Sequence, residues 1–379
     1  MKKGLLMIAN NSIAEERIDQ QPEGGDEGVE GLQESPESLG GYPIDKLLIR
    51  RESRTIYETI RRIKEGRYIM DPDFQRGFVW DPKKQSRLIE SVIMRIPLPV
   101  FYLAEDDQGK MIVVDGLQRL ATFCRFRNGE LRLNLPQREE LDGKFFDDLI
   151  PKYQNRIEDF NLTFYVIDYQ VEDQARLDIF ERVNSGEPLS RQQMRNALYS
   201  GPATIFLREE AESAIFIQAT GRSLNTKTMR DREFVNRFCS FYLLGVEEYK
   251  GDDMDGFLSR GLEKMNDMEK GELEDLSRVF QQSLSNNFKI FGKHAFRKSM
   301  AYGKHTRRSV LNASLWDVMS TELAKYTTQY VAENKDDLKL SLVGLVAKPE
   351  FSDTITLGTG GVKKVQKRFK MLQSVLKYI

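Results

Sequence analysis

Hydrophobic positions along the chain recur with two different spacings, and the spacing changes near residue 200. Short apolar runs of strand length occur first, at FVW (78–80), VFYLAE (100–105), KMIVVD (110–115) and LTFYVIDY (162–169). Helical patterns lie between these runs, and short apolar runs bounded by polar residues and glycine are typical of buried strands. The pattern therefore predicts a mixed α/β region from Tyr42 to about Val171.

Two of these runs predict a β-hairpin. Runs 100–105 and 110–115 are joined by DDQG, which places acidic residues and a glycine where a hairpin needs its turn. Asp106 and Asp107 are therefore interpreted as turn residues rather than as metal ligands.

Beyond residue 200 the apolar residues follow a helical period, as in ESAIFI (212–217), REFVNRFCSFYLL (232–244), LEDLSRVFQQSL (273–284) and VQKRFKMLQSVLKYI (365–379). This pattern predicts an all-helical C-terminal region packed on the α/β region, and so an α+β fold class. The expected domains are 41–200 and 201–379. Residues 1–40 carry nine acidic residues against three basic ones and few apolar residues, so the sequence predicts a disordered acidic arm there.

Composition limits the classes of protein that remain. Of 379 residues, 40% are hydrophobic and 30% are charged, and no run approaches the roughly 18–20 apolar residues that a membrane span needs. The opening MKKGLLMIANN is too short and too soon polar for a secretory signal, so a cytoplasmic protein without membrane contact is expected. Cys124 and Cys239 lie far apart, which favours neither a disulfide nor a zinc site, and no metal-binding residue is assigned.

Two stretches near the C-terminus are basic and lack acidic residues. The first spans 289–308, within an acid-free segment between Gln281 and Trp316, and the second spans 363–377. They are interleaved with the aromatic residues Phe291, Phe296, Tyr302 and Phe369. Two interpretations stay open: solvated helix faces above buried aromatics, or a surface that holds the phosphate backbone of DNA. The opposite charge of the acidic arm suggests that the arm masks these stretches.

The segment VVDGLQRLAT (113–122) carries the strongest candidate chemistry. An apolar strand ends at Asp115-Gly116, and a helix that carries Gln118 and Arg119 follows at once. Asp115 and Gln118 have the spacing of a capping box, which would satisfy free N–H groups at the helix start. The apolar stripe expected to face the core consists of Leu117, Leu120, Ala121 and Cys124. One interpretation is a capped helix with a surface arginine; the other is a helix N-terminus at Gly116 that receives a phosphate neutralised by Arg119.

A second candidate lies in residues 71–99. Arg76 stands among the aromatic residues Phe74, Phe78 and Trp80 of an extended segment, so it is expected to lie buried. A buried arginine needs a partner, which is either a carboxylate such as Asp73 or a ligand. After this segment, Asp81 is expected to cap a helix that has Pro82 in its first turn.

A third candidate is IFERVNSGEPLSRQQMRNALYSG (179–201). One helix is expected to stop at 184–186, and the next to open at Ser190 with Gln193 in capping-box spacing. The polar residues that cluster around this turn are Arg182, Asn184, Arg191, Arg195 and Asn196. They fit either ordinary capping or ligand contact, and the Asn184 amide is shaped to pair with a base, a ribose or a loop. A fourth segment, TLGTGGVKK (356–364), lacks P-loop spacing and is predicted to be a flexible loop.

FQRGFVW, DGLQRLAT, IFERVNSGEPLS, RNALYSG and RDREFVNRF occur in an order that resembles the N-terminal domain of GmrSD-type restriction enzymes, a family of domains of unknown function with a DGQQR motif. The resemblance runs from about Tyr42 to the C-terminus. It implies a core similar to the ParB and sulfiredoxin fold, and binding and hydrolysis of nucleoside triphosphates in systems that restrict phage or modified DNA.

The same resemblance implies a set of site residues. Asp115, Gly116, Gln118 and Arg119 would line a nucleotide phosphate site, with Arg76, Arg182 and Asn184 nearby. The motif departs from its usual form in two places, because Leu117 stands where glutamine is common and Ala121 where threonine is common. These departures favour binding over catalytic turnover.

Many relatives carry a further HNH-type nuclease module, which needs histidine to activate water. This sequence holds only His294 and His305, so it is expected to lack that module and either to require a partner nuclease for a complete activity or to act by sensing alone. The leading hypothesis is a nucleotide-binding defence protein with slow triphosphatase activity, in which Arg119 binds phosphate, Gln118 orients water and Asp115 holds the turn or recruits Mg²⁺. The alternatives are a DNA-binding sensor without hydrolysis and a ParB-like nuclease. Pairing with a second copy of the chain stays open.

Overall fold

The computed structural model describes residues 28–32, 48–70, 80–106, 108–171, 173–183, 190–251, 253–302 and 307–377. The strands in these residues are β1 (Val29–Glu30), β2 (Ile49–Thr55), β3 (Tyr68–Ile69), β4 (Phe101–Glu105), β5 (Met111–Asp115), β6 (Asn161–Ile167) and β7 (Leu311–Asn312). The runs predicted at 100–105, 110–115 and 162–169 are thereby confirmed, whereas the run at 78–80 lies mostly outside the described residues.

Helices of the N-terminal region are α1 (Ile56–Lys64), α2 (Pro82–Ile93), α3 (Leu117–Arg127), α4 (Pro151–Glu158), α5 (Asp173–Val183) and α6 (Arg191–Leu198). Those of the C-terminal region are α7 (Pro202–Ala211), α8 (Ala214–Thr220), α9 (Arg230–Leu244), α10 (Met254–Asn266), α11 (Lys270–Phe291), α12 (Ala313–Leu323), α13 (Thr328–Glu333), α14 (Lys335–Val346), α15 (Pro349–Thr356) and α16 (Val362–Leu376). The mixed N-terminal region and the helical C-terminal region are confirmed.

The N-terminal region is built on a mixed sheet with strand order β2-β6-β4-β5-β3. The pairs β2/β6 and β4/β5 are antiparallel, whereas β6/β4 and β5/β3 are parallel. Alternate residues of β5 enter different cores: Val113 packs with the residues of α1 to α4, and Ile112 and Val114 pack with those of α5 and α6. Helices therefore cover both faces of the sheet. Polar side chains of the sheet can then reach the protein surface mainly at the ends of the strands.

The predicted hairpin between β4 and β5 is confirmed. One carboxylate oxygen of Asp106, Oδ1, accepts hydrogen bonds from the backbone N–H groups of Gln108 (3.0 Å) and Lys110 (2.7 Å). Gly109 adopts φ of 76°, which side chains with a Cβ rarely do. Asp106 is thus a turn residue, as the sequence predicted, and Asp107 lies outside the described residues.

The edge strand β2 was not predicted, because its sequence IRRESRT is almost entirely charged or polar. Two of its arginines, Arg50 and Arg54, bind carboxylates. Arg50 lies 2.9 Å from Glu52 and 2.7 Å from Glu105 of β4. Since these ion pairs satisfy one face of the strand, a charged sequence can pair with β6 at the edge of the sheet.

The C-terminal region is organised around Trp316 of α12, which is fully buried and donates from Nε1 to the carbonyl of Phe234 at 2.7 Å. Beside it, Asp317 is also fully buried and accepts two hydrogen bonds of 2.7 Å from Arg237 of α9 and one of 3.0 Å from Arg368 of α16. Three helices are thereby joined through one carboxylate.

Part of the predicted acidic arm is ordered. Val29–Glu30 forms β1, which pairs in parallel with β7, and Val29 and Leu32 pack against the helical core. The prediction of disorder was therefore wrong for residues 28–32, because two apolar side chains and a strand partner stabilise them. The rest of the arm lies outside the described residues. The C-terminal region, which was predicted to be all-helical, thus also contains the short strand β7.

The glycine-containing segment 356–364 is packed rather than flexible. Thr359 is buried, its hydroxyl donates to the carbonyl of Gly31 at 2.8 Å, and its own carbonyl accepts from Arg368 at 2.7 Å. The prediction of a flexible loop was wrong because one partner, Gly31, is distant in sequence and the other, Arg368, lies on the following helix.

Candidate functional site

The candidate site is the DGLQR turn (Asp115–Arg119), where β5 ends and α3 begins. Gly116 between them has φ of 99°, in the left-handed region that favours glycine. A Cβ at this position would lie 2.2 Å from Cδ1 of Phe101 at the start of β4. Backbone conformation and the close approach of Phe101 therefore both require glycine here.

The predicted capping box is not formed. Gly116 is the N-cap of α3, and no side chain caps this helix within the described residues. Asp115 lies one position too early to serve as N-cap, and its Oδ2 instead accepts from Arg119 at 2.7 Å, one helical turn ahead. The N–H groups of the first turn of α3 are thus left for water or for an anion.

Arg119 is buried, with 8% of its surface exposed, so the interpretation of a surface arginine was wrong. Its guanidinium donates to the carbonyls of Pro99 and Val100 and lies 4.1 Å from the ring centroid of Phe101. Burial lowers the pKa of Arg119, and the negative charge of Asp115 opposes that change. Arg119 therefore ties the start of α3 to the segment that enters β4.

Gln118 has the least satisfied polar group of the turn. Its side-chain oxygen Oε1 is buried and has no hydrogen-bond partner in the described residues. Its backbone carbonyl, by contrast, accepts from the Thr122 hydroxyl at 2.7 Å. Because buried polar atoms are normally paired, this oxygen marks a position where a water molecule or a ligand would find a partner.

The apolar face of α3 differs from the predicted stripe. Leu120 is buried in the core as predicted, and Leu117 and Cys124 are partly buried against the same core; Phe123 and Phe126 are buried there too, whereas Ala121 is only partly buried. Burial among apolar neighbours raises the pKa of the Cys124 thiol to about 11, so this cysteine stays protonated.

Arg76 and Asn184 lie outside the described residues, and Arg182 is exposed in the last turn of α5. The described contacts do not join Arg182 to the DGLQR turn. The strand that precedes the Arg76 segment, β3, runs parallel to β5, with Ile69 beside Ile112. At the far end of the Arg76 segment, Asp81 caps α2 by accepting from the Lys84 N–H at 2.7 Å, as predicted.

The predicted capping box of Ser190 and Gln193 is confirmed, with backbone-to-side-chain distances of 2.7 and 3.2 Å. The arginines that follow it on α6 form ion pairs. Arg191 lies 2.9 Å from Asp178 of α5, and Arg195 binds Asp255 of α10. The pair of Arg195 with Asp255 joins the sheet region to the helical region, and the sequence did not reveal it because the two residues are 60 positions apart.

The basic stretches divide into structural and exposed cations. Arg297 is fully buried and donates to the carbonyls of Ser309 and Thr220, and Lys298 lies 2.9 Å from Glu30 of β1. Arg368 is fully buried as well, and burial lowers its pKa to about 10. Of the aromatic residues, Phe291, Phe296 and Phe369 are buried in the core, and Tyr302 is exposed. The cations that remain exposed include Lys289, Lys293, Lys363, Lys367, Lys370 and Lys377.

Within the described residues, no group of three or more histidine, cysteine, aspartate or glutamate side chains could hold a metal ion. None of the helices in that part of the chain combines the length and the apolar character needed to cross a bilayer.

No curated protein matches the chain. Residues 56–200 match the family described as GmrSD restriction endonuclease, N-terminal domain. The matched segment contains α1 to α6 and the DGLQR turn. The sheet region of this chain thus resembles the N-terminal domain of GmrSD restriction endonucleases.

Proposed function

We propose that this chain binds a nucleoside triphosphate at the DGLQR turn and acts in a DNA restriction or phage-defence system, with a separate nuclease as partner. The observation that carries the proposal is the start of α3, which no side chain of the described residues caps, next to Oε1 of Gln118, which has no partner among those residues. The similarity of residues 56–200 to a restriction endonuclease domain supports the biological setting. The ParB-like core of the sheet region is part of the same proposal.

The residues of the turn would have separate roles. The first N–H groups of α3 would bind phosphate oxygens, because a helix N-terminus offers free donors and a positive end of the dipole. Gln118 would orient a water molecule that donates to its Oε1, or it would donate from Nε2 to a phosphate oxygen. Arg119 is a positioning residue in this proposal, since its guanidinium already binds Asp115 and two backbone carbonyls.

Asp115 fits a supporting role with magnesium. Its Oδ2 is engaged by Arg119, while its Oδ1 has no hydrogen bond among the described residues, and the side chain is 34% exposed. Mg²⁺ is typically held by one or two carboxylates together with substrate phosphates. Asp115 would therefore supply one ligand to a magnesium ion that arrives with the nucleotide.

The proposal is tested by titrating the four ribonucleoside triphosphates, with Mg²⁺, into the full-length protein by calorimetry. A hydrogen bond to a charged group contributes about 1.5–3 kcal/mol, so Gln118→Ala should weaken binding about tenfold or more. Gln118→Glu should weaken it further, because a carboxylate would lie beside the phosphates. Gln137→Ala is the matched control, since Gln137 is exposed in the same region and lies outside the turn.

The proposal is wrong if the wild-type protein binds none of the four nucleotides. It is also wrong if the Gln118→Glu protein binds them as tightly as wild type. Phosphate release measured on the same proteins addresses hydrolysis, which we expect to be slow.

A further inference from the structure

The last helix, α16, presents one exposed row of lysines. Its inner side is fixed in the core, where Phe369 and Leu372 are buried and Arg368 binds Asp317. Its outer side carries Lys363, Lys367, Lys370 and Lys377, which are all exposed. These four residues are called the lysine face. Because the opposite side is buried and hydrogen-bonded, the lysine face is held on a rigid support.

Helical geometry places the lysine face on one side of the cylinder. At about 100° per residue, the four positions fall within an arc of about 80°. At a rise of about 1.5 Å per residue, they extend along about 21 Å of the helix axis. The four charges therefore form a straight row rather than a scattered set.

Nothing within the described residues neutralises this row. None of the four lysines lies in an ion pair there, whereas the neighbouring Lys364 lies 3.2 Å from Asp353. The chain has no acidic residue after Asp353, and the first turn of α16 has none. Lys363 in that turn repels the positive end of the helix dipole, so its position disfavours the folded helix. A bound anion would reverse that cost.

We propose that the lysine face binds the phosphate backbone of double-stranded DNA. The row is about 21 Å long, which matches about six base pairs at 3.4 Å per step. The other exposed side chains of α16, Gln366 and Ser374, are polar. A face without aromatic residues offers no platform for stacking the bases of a single strand, and one without apolar residues offers nothing to insert into a membrane. The inference concerns the helical region and does not depend on nucleotide binding at the DGLQR turn.

The test measures binding of the full-length protein to a fluorescent 20-base-pair duplex, without nucleotide, at several salt concentrations. The logarithm of the affinity should fall linearly with the logarithm of the salt concentration, by about 0.9 per phosphate contacted. The double variant Lys367→Gln/Lys370→Gln should bind more weakly and reduce the slope by about 1.8. The matched control is Lys227→Gln/Lys264→Gln, which removes two exposed lysines of the helical region outside α16 and should leave affinity and slope close to wild type.

A second variant separates a DNA contact from a structural role. Lys363→Glu should lower DNA affinity while leaving the melting temperature unchanged or raised, because it places an acidic residue at the N-terminus of α16. The inference is wrong if the wild-type protein does not bind the duplex. It is also wrong if the α16 double variant binds like its control, or if the protein prefers anionic lipid vesicles or single-stranded DNA to the duplex.

Discussion

Replacing Arg119 with alanine should destabilise the protein even when no nucleotide is present. Its guanidinium lies at the centre of the DGLQR turn, where it bonds to the carbonyls of Pro99 and Val100, to Asp115, and stacks on Phe101. The substitution removes all four contacts at once. It would therefore loosen the connection between the start of α3 and the start of β4.

The size of the effect follows from the exposure of each partner. Pro99 is exposed and Val100 is partly exposed, so water can replace the lost hydrogen bonds to their carbonyls. Each lost bond should therefore cost about 1 kcal/mol, less than the penalty for leaving a buried carbonyl without a partner. The contact with the Phe101 ring contributes about 0.5–1 kcal/mol. The ion pair with Asp115 contributes about 0.5 kcal/mol, because that carboxylate is one third exposed. Together these contacts give a loss of about 3 kcal/mol.

Urea denaturation followed by circular dichroism measures this loss. Arg127→Ala is the control on the same helix, since Arg127 has an ion pair with Glu158 and a ring contact with Phe146 but is 38% exposed. Its replacement should cost about 1 kcal/mol or less. If Arg119→Ala were no more destabilising than Arg127→Ala, Arg119 would not be a structural residue and would be free to bind phosphate directly.

Two further substitutions test the packing around the site and the helical core. Gly116→Ala should destabilise the protein by about 2 kcal/mol or more, because the new Cβ would overlap the Phe101 ring and the backbone conformation disfavours alanine. A melting temperature equal to that of wild type would contradict this geometry. Asp317→Asn should cost about 3–5 kcal/mol in urea denaturation, since it leaves Arg237 and Arg368 buried without their shared counter-charge; a loss below about 1 kcal/mol would show that the pairing is dispensable.

The parts of the fold that the sequence predicted are those fixed by neighbouring residues. The hairpin between β4 and β5 needs two apolar runs and one turn, and all of these lie within 100–115. The capping box at Ser190 and the proline-containing first turn of α2 are equally local. Each of these elements is determined by residues that are neighbours in the sequence, so the sequence alone predicts it.

The DGLQR turn was predicted in position but not in detail. Asp115 has an acceptable partner three residues ahead and another four residues ahead, and local spacing cannot choose between Gln118 and Arg119. The choice is made by Phe101, which leaves no room for a side chain at position 116 and receives the guanidinium on its ring. That contact joins residues 18 positions apart in the sequence, and no pattern within the motif indicates it.

Charge patterns misled for a related reason. Arg297 and Arg368 lie in basic stretches that suggest an exposed surface, yet both are buried because their acceptors come from distant segments, at Thr220 and Asp317. The strand β2 is the opposite case, because its charged sequence gave no indication that it forms the edge strand of a sheet. Net charge along the chain identified where cations concentrate, but only the partners decide which of those cations can meet a ligand.

The acidic arm should compete with DNA for the lysine face, because its described part is attached beside α16. Gly31 accepts a hydrogen bond from Thr359, four residues before Lys363, so the described end of the arm is fixed next to the start of α16. Deleting residues 1–27 removes six acidic and three basic residues while keeping β1, and should raise duplex affinity about threefold or more at low salt, where charges are least screened. Deleting residues 1–14 removes two lysines and no acidic residue, and should not raise it. If both truncated proteins bound the duplex like the full chain, the arm would have no masking role, and the pairing of Glu30 with Lys298 would serve the fold alone.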